Sequence, residues 1–345
     1  MSLYSEILEQ PACLERMLRS QRANVEDISR IIKAHDISYV FLAARGTSDN
    51  AGRYANYLFG AQNHLPLALA APSLFTYYER PPRLKNALVM GISQSGQSPD
   101  IVSVLHEAKR QGCPTLAITN VPNSPLGAEA DLVFDLQAGP ELAVAATKTY
   151  SAELMAIAMI SAAIEGQRSG WNLLEKVPQW AAAALQQDEQ IRKNISRYQP
   201  LQKCAVLGRG YNYATAFEWA LKLKELTYLE AEPYSTADFQ HGPIAIVGRG
   251  YPILAIVAAG QVAESMLELL DQLKKDLQAE LVVITNVTKA AALARMHFSI
   301  PADIPEALSP LVSIIPAQLF VYHLSLAKGL DPDQPRTINK ITETR

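Results

Sequence analysis

Two polar turns and one helix face hold most of the residues in this 345-residue sequence that could do chemistry. The stretches RGTSDN (residues 45–50) and SQSGQS (residues 93–98) each follow an apolar run and lead into a helical pattern. The first offers the hydroxyls of Thr47 and Ser48. The second offers those of Ser93, Ser95 and Ser98 and the amide of Gln94. Hydroxyls and backbone N–H groups at a helix N-terminus suit a dianionic phosphate, and Gly46 and Gly96 let the backbone approach a ligand closely. The same serines can be read as helix N-caps, and Ser98 before Pro99 and Asp100 has that form. Two such turns in one half of the chain favour phosphate.

The second half carries a denser set, ALKLKELTYLEAEPYSTADFQHGP (residues 220–243). Lys222 and Glu225 are three apart and Glu218 lies one turn earlier, so the three share a helical face. By spacing alone such a trio fits a solvated salt-bridge helix. His241 shifts the balance toward chemistry, because it lies in a Gly-Pro turn ahead of the strand-like residues 244–247, and functional residues concentrate in loops. The other histidines (His35, His64, His106, His297 and His323) fall within helical or strand patterns or beside prolines. The tail DPDQPRTINKITETR (residues 331–345) follows a long apolar helical stretch, residues 311–329. Its composition leaves open a disordered end or one that closes over a site.

The elements that must position these residues are legible as alternating runs. Residues 39–44, 67–71, 87–92, 115–119 and 132–136 are short and apolar throughout, which suits strands buried on both faces of a parallel sheet. Helical patterns such as residues 48–60 and 100–111 lie between them, giving βαβ punctuation. The second half repeats the first: Arg45 of FLAARGTSDNAGRYANYL recurs as Arg209 of AVLGRGYNYATAFEWALK at an offset of 164, and Ile118 of LAITNV as Ile284 of VVITNV at an offset of 166. The expected fold class is α/β, with two tandem doubly wound parallel-sheet domains linked by a helical segment, residues 169–196.

Bulk properties narrow the function. Hydrophobic residues make up 49% and charged residues 19% of the sequence, a globular composition, and the net charge is −3. No Lys/Arg run is present, so neither nucleic acid nor a membrane is an expected partner. The three cysteines, Cys13, Cys113 and Cys204, are widely spaced with no CxxC, so the expectation is a reducing, cytoplasmic setting with no disulfide frame and no metal. The amino end mixes charge into an amphipathic pattern, so no secretory signal is expected. The apolar stretch 154–164 is too short to span a bilayer and reads as a core helix. There is no GxxxxGK[ST] loop, and GRGYNYA (residues 208–214) lacks the third glycine of a dinucleotide fingerprint. No cofactor is expected. The expected ligand is a small phosphate monoester, held and not transferred.

The motifs RGTSDNAG, SQSGQSPD, AVAATKTY (residues 143–150), ALKLKE, HGP and DQPR…NK occur in an order that resembles the sugar isomerase (SIS) family, and the likeness runs from EILEQP (residues 6–11) to the tail. It is strongest to the isomerase half of glutamine–fructose-6-phosphate aminotransferases and to stand-alone glucosamine-6-phosphate deaminases. The resemblance implies two flavodoxin-like SIS domains, at 37–168 and 201–330, with a helical arm at 1–36, a linker at 169–200 and a tail over the active site at 331–345. It implies that Gly46, Thr47, Ser48, Ser93, Gln94, Ser95 and Ser98 hold the sugar phosphate. Glu225 would move a proton between C1 and C2, and His241 would open the sugar ring from the second subunit of a homodimer. Lys222 would line the same site, and Lys340 would contact the open-chain sugar and form a Schiff base with the ketose. Glu141, Val144 and Ala145 would line the sugar pocket. These roles suit the chemistry: a carboxylate within reach of adjacent carbons, an acid–base group at the ring oxygen, and an amine beside a carbonyl.

Two departures bear on the reaction. Ala146 stands where the synthases often carry serine, and KITETR resembles the deaminases more than the synthases. The sequence holds no glutaminase half and no cysteine directly following Met1, so the expectation is no ammonia source of its own. The expected net reaction is conversion of glucosamine 6-phosphate to fructose 6-phosphate and ammonia. A fructosamine-phosphate deglycase or a non-deaminating phosphosugar isomerase is the alternative. A non-catalytic sugar-phosphate sensor would have no need of Glu225, His241 and Lys340 together.

Overall fold

A computed structural model describes residues 2–340. The described chain forms two compact units. One takes in residues 12–141, 148–176 and 339–340; the other takes in residues 2–11, 142–147 and 177–338.

The first unit is built on strands β1 (Tyr39–Ala43), β2 (Leu67–Leu69), β3 (Ala87–Ile92), β4 (Thr115–Thr119) and β5 (Leu132–Asp135). All neighbours pair in parallel, in the order β2-β1-β3-β4-β5. Each expected apolar run forms a strand. In β3 and β4 every residue is buried, as a continuous apolar run requires when helices cover both faces. The run at 67–71 departs from that reading: β2 is an edge strand three residues long, with Ala68 and Leu69 exposed. The helices Gly46–Asn63 and Pro99–Arg110 follow β1 and β3 directly. Ile101, Val104 and Leu105 of the second pack with Val89 of β3 and Leu126 in one apolar cluster. Each such side chain, fully buried, stabilises the unit by about 1.5–3 kcal/mol. The apolar stretch at 154–164 lies in the helix Lys148–Glu165, whose residues 148–163 are all buried.

The second unit repeats the topology. Strands β6 (Lys203–Gly208), β7 (Glu230–Ser235), β8 (Pro252–Val257), β9 (Glu280–Thr285) and β10 (Met296–Ser299) form a parallel sheet in the order β7-β6-β8-β9-β10. Read in chain order within each sheet, both are 2-1-3-4-5, the flavodoxin-like arrangement. The tandem, doubly wound fold class expected from the internal repeat is therefore observed. The segment 169–196 is largely helical, in Arg168–Leu174, Val177–Leu185 and Asp188–Asn194.

Two elements of this unit differ from the sequence reading. Residues 244–247 are not a strand, because Pro243–Ile246 forms a 3-10 turn entered through Gly242 at φ +148°. The second strand is instead Glu230–Ser235, a polar edge strand containing Pro233. Proline is tolerated there because an edge strand leaves one side of its ladder unpaired. The helix Pro310–Ala327 is the one described helix long and apolar enough to cross a membrane by length and composition, and 83% of it is buried inside the protein. Its Phe320 meets Trp219 of the helix Tyr213–Thr227 edge to face, ring centroids 5.6 Å apart. Cys13, Cys113 and Cys204 are buried, and none is in a disulfide. Burial pushes the Cys204 thiol up to about 12 and the Cys113 thiol above its ordinary value.

Candidate active site

In a 2-1-3-4-5 sheet the strand order reverses between the first and third strands, and ligands gather where their carboxyl ends meet the following helices. In the first unit those two connections are the turns RGTSDN after β1 and SQSGQS after β3. The topology thus brings together the two stretches singled out by their hydroxyls. Arg45 ties them, its Nε lying 2.8 Å from Oδ2 of the fully buried Asp100 in the first turn of the Pro99–Arg110 helix.

The SQSGQS turn is held rigid from beneath. Gly96 has φ +64°, and a Cβ there would lie 2.0 Å from Ser124 Oγ, so only glycine fits. The Gly96 carbonyl accepts from the Leu126 N–H at 3.1 Å, and the Gln94 carbonyl from the Asn120 N–H at 3.1 Å. Ser93 Oγ accepts from the Gly96 N–H at 3.1 Å, and Ser95 Oγ from the Gln97 N–H at 3.3 Å. Both hydroxyls accept within the turn and retain a proton to donate. Ser98 occupies the N-cap position before Pro99, but its hydroxyl makes no capping bond. Capping therefore does not account for the serines of this turn.

The first turn is different. Gly46 is exposed at φ +53° and Thr47 is half-buried. Ser48 is buried and donates its Oγ proton to Glu153 Oε1 at 2.7 Å, so it anchors the Gly46–Asn63 helix to the Lys148–Glu165 helix. Burial pushes the Asp49 carboxyl up, although Arg53 and Arg45 oppose that shift. Glu141 and Lys340 also meet in this unit. Glu141, its side chain fully buried, accepts from Thr149 N–H at 3.1 Å and Thr149 Oγ1 at 2.8 Å, and its Oε2 lies 2.6 Å from Lys340 Nζ. The tail lysine is thus fixed by a carboxylate that is itself held by the backbone.

The second unit carries the remaining residues. Val144 is half-buried and Ala145 buried, in a loop whose Leu142 and Ala143 N–H groups donate to Glu6 Oε1 at 2.5 and 3.2 Å. On the Tyr213–Thr227 helix, Lys222 is 2% exposed, with Nζ 2.5 Å from Glu225 Oε2 and 3.4 Å from Glu218 Oε1. Glu218 is fully buried, whereas Glu225 keeps 22% of its side chain exposed. The solvated salt-bridge reading of this face does not hold. The helix buries it, and an ammonium leaves water only when paired. One carboxylate is sealed and the other faces outward, so Glu225 offers a base with an open side, fixed by a buried cation. His241 is exposed and ends the short helix Thr236–Gln240, its N–H donating to the Asp238 carbonyl at 3.1 Å.

Arg45, Asp100, Glu153 and Glu218 support this machinery without having been named as site residues from sequence. Arg45 and Asp100 lie inside or beside the quoted turns, which was the available signal. The Ser48–Glu153 contact spans 105 residues and has no local signature.

Comparison with known proteins agrees with the fold and the motifs. The SIS domain model matches twice, at residues 33–163 and 201–328, and the chain belongs to the SIS domain family. A Gloeobacter violaceus glutamine–fructose-6-phosphate aminotransferase (isomerizing) is 33% identical over 98% of this chain and 58% of its own length. An Aquifex aeolicus protein of the same name is 34% identical over 98% of this chain and 57% of its own length. The chain thus spans a little over half the length of these curated relatives. Among solved structures, a Silicibacter pomeroyi DSS-3 protein provisionally described as a phosphosugar isomerase superposes with a TM-score of 0.87 at 32% identity, covering 96% of this chain and 100% of that one. The C-terminal domain of the Francisella tularensis glucosamine–fructose-6-phosphate aminotransferase gives a TM-score of 0.87 at 28% identity, covering 96% and 98%. The family expected from the motifs is therefore the family observed.

The buried trio yields a stability test. Lys222→Met strips the cation from between two carboxylates, and removing one partner of a buried pair destabilises by about 3–5 kcal/mol. Urea unfolding should show that loss, and Glu218→Gln in the same chain should recover part of it. A Lys222→Met loss below about 1 kcal/mol would contradict a paired, buried ammonium.

Proposed function

We propose that this chain is an aldose–ketose isomerase of 6-phosphosugars whose net reaction is glucosamine 6-phosphate plus water to fructose 6-phosphate plus ammonia. The observation that carries the reading is the Lys222–Glu225 pair. Moving a proton between adjacent carbons needs a positioned carboxylate, and Glu225 is fixed 2.5 Å from a buried ammonium while part of it stays exposed. In this reading the hydroxyls of Ser93, Ser95 and Ser98, with Gln94 and the Gly46–Ser48 turn, hold the phosphate and fix the sugar remote from the reacting carbons. His241 opens the ring, and Val144 and Ala145 line the sugar pocket. Glu141 holds the Lys340 ammonium until substrate arrives and then takes its proton, so that the neutral amine adds to the ketose carbonyl and water leaves to give an iminium, which water later hydrolyses. Ser48 contributes by fixing the turn, since its proton is committed to Glu153.

An amino-sugar substrate is favoured by the curated relatives at 33–34% identity, which are named for transferring an amino group to fructose 6-phosphate with isomerisation. Run in reverse with water as acceptor, that chemistry releases ammonia. We place the protein in the cytoplasm, where cysteines outside disulfides are the norm.

An ammonia-release assay across glucosamine 6-phosphate, other amino-sugar phosphates and fructosamine phosphates tests the reading. Glucosamine 6-phosphate should be the best substrate, and Ser95→Ala should raise its KM with less effect on kcat. Release from fructosamine phosphates alone would make the protein a deglycase, and ketose–aldose interconversion without ammonia would leave an isomerase. We further propose a homodimer in which His241 serves the partner's site. Mixing Glu225→Gln with His241→Ala subunits, each inactive alone, should then restore activity. Verified subunit exchange with no recovery would show that each site is built from one chain.

A further inference from the structure

We infer that the second unit carries an anion site separate from the phosphosugar machinery, suited to a small ligand bearing two or more phosphate groups. A cavity of about 680 Å³ opens at the amino ends of β8, β9 and β10. Arg197, Arg249, Lys274 and Arg295 line it, and Glu280 is the one carboxylate among the lining residues. Four cations against one carboxylate is a concentrated positive field in a chain whose net charge is −3.

The charges are not cancelled locally. Glu280 is held by Arg197 at 3.1 Å. Lys274 Nζ donates to the Ala292 carbonyl at 3.3 Å, which leaves its charge unneutralised. Among the described residues no carboxylate lies within ion-pair distance of Arg249 or Arg295. The turns that carry these cations are braced. The Gly250 N–H donates to the Gln278 carbonyl at 2.8 Å and the Arg295 N–H to the Leu281 carbonyl at 2.8 Å. With those N–H groups already used, recognition falls to guanidinium forks and an ammonium, which suit phosphate oxygens. Like charges gathered around one concavity repel, and a ligand with several negative charges relieves that repulsion where a monoanion relieves little. Leu281 and Leu293 add apolar lining, so the ligand can also carry a ring.

The site shares no residue with the serine turns or with Lys222, Glu225, His241 and Lys340. It opens at the amino ends of the strands, whereas substrates of parallel sheets gather at carboxyl ends. It goes beyond the phosphosugar reading and stands or falls independently of it. A concavity bounded by turns, in a sequence with no basic run, fits a compact polyanion better than a nucleic acid strand.

Isothermal titration of the full chain with tripolyphosphate tests the site, with orthophosphate and a nucleoside triphosphate as comparison probes. Tripolyphosphate should bind once per chain, at least about tenfold more tightly than orthophosphate, and more weakly as salt rises. A nucleoside triphosphate that binds tighter still would make the base part of the ligand; equal binding would make the phosphates sufficient. R249E/R295E should weaken binding at least about tenfold, and Ser95→Ala should leave it unchanged. R249Q/R295Q, which removes the charges without reversing them, serves if the first variant does not fold. Absent binding, unchanged binding in both double variants, loss in Ser95→Ala, or displacement of the probe by a DNA duplex at equal phosphate concentration would overturn the inference.

Discussion

A lysine ammonium with almost no access to water must be compensated on the spot, and Lys222 is compensated from both sides along its own helix. Glu218 lies one turn before it, sealed, and Glu225 one turn after it, partly open. Losing the lysine would leave the buried Glu218 charge uncompensated, and the two carboxylates hold the ammonium from both sides. The helix that carries them lies between the β6–β7 strands and the Pro310–Ala327 helix, with Trp219 against Phe320 closing the apolar side. Packing sets where the helix lies, the buried cation sets where Glu225 points, and the proposed proton transfer would use that direction.

The phosphate-binding half of the account rests on a topological constraint. A parallel sheet in 2-1-3-4-5 order leaves a crevice at the carboxyl ends of its first and third strands, and those strands lead into RGTSDN and SQSGQS. Glycine at 96 is dictated by the proximity of Ser124, and the Ser93 and Ser95 hydroxyls accept within the turn while each retains a proton to donate. Arg45 links the two turns through Asp100. The second sheet repeats the order with different turn chemistry, so in the proposed function one architecture would supply a phosphate cradle in one unit and a proton carrier in the other.

Much of this was legible in the sequence. Strands β1, β3, β4 and β9 are apolar nearly throughout because helices cover both faces, and such runs announce themselves. The edge strand Glu230–Ser235 does not, since half of it meets solvent and Pro233 interrupts its pattern. Residues 244–247 mimic a strand in composition, yet Gly242 and Pro243 start a 3-10 turn there. The charges at 218, 222 and 225 have the spacing of a solvated face, and only the packing of their helix shows them buried. Pairings such as Ser48 with Glu153 or Lys340 with Glu141 join residues more than a hundred positions apart and leave no local trace.

The central claim is that Glu225 carries the proton between C1 and C2. The most direct measurement is NMR of hydrogen exchange at C2 of glucosamine 6-phosphate in deuterated water, for the wild-type protein and for Glu225→Gln. The substitution keeps size and hydrogen bonding and removes the base, and loss of a general base typically lowers rate by about 10²–10⁴-fold. Exchange in the wild type, with a drop of that size in the variant and sugar-phosphate binding retained, is the predicted result. Exchange at the wild-type rate in Glu225→Gln would contradict the account.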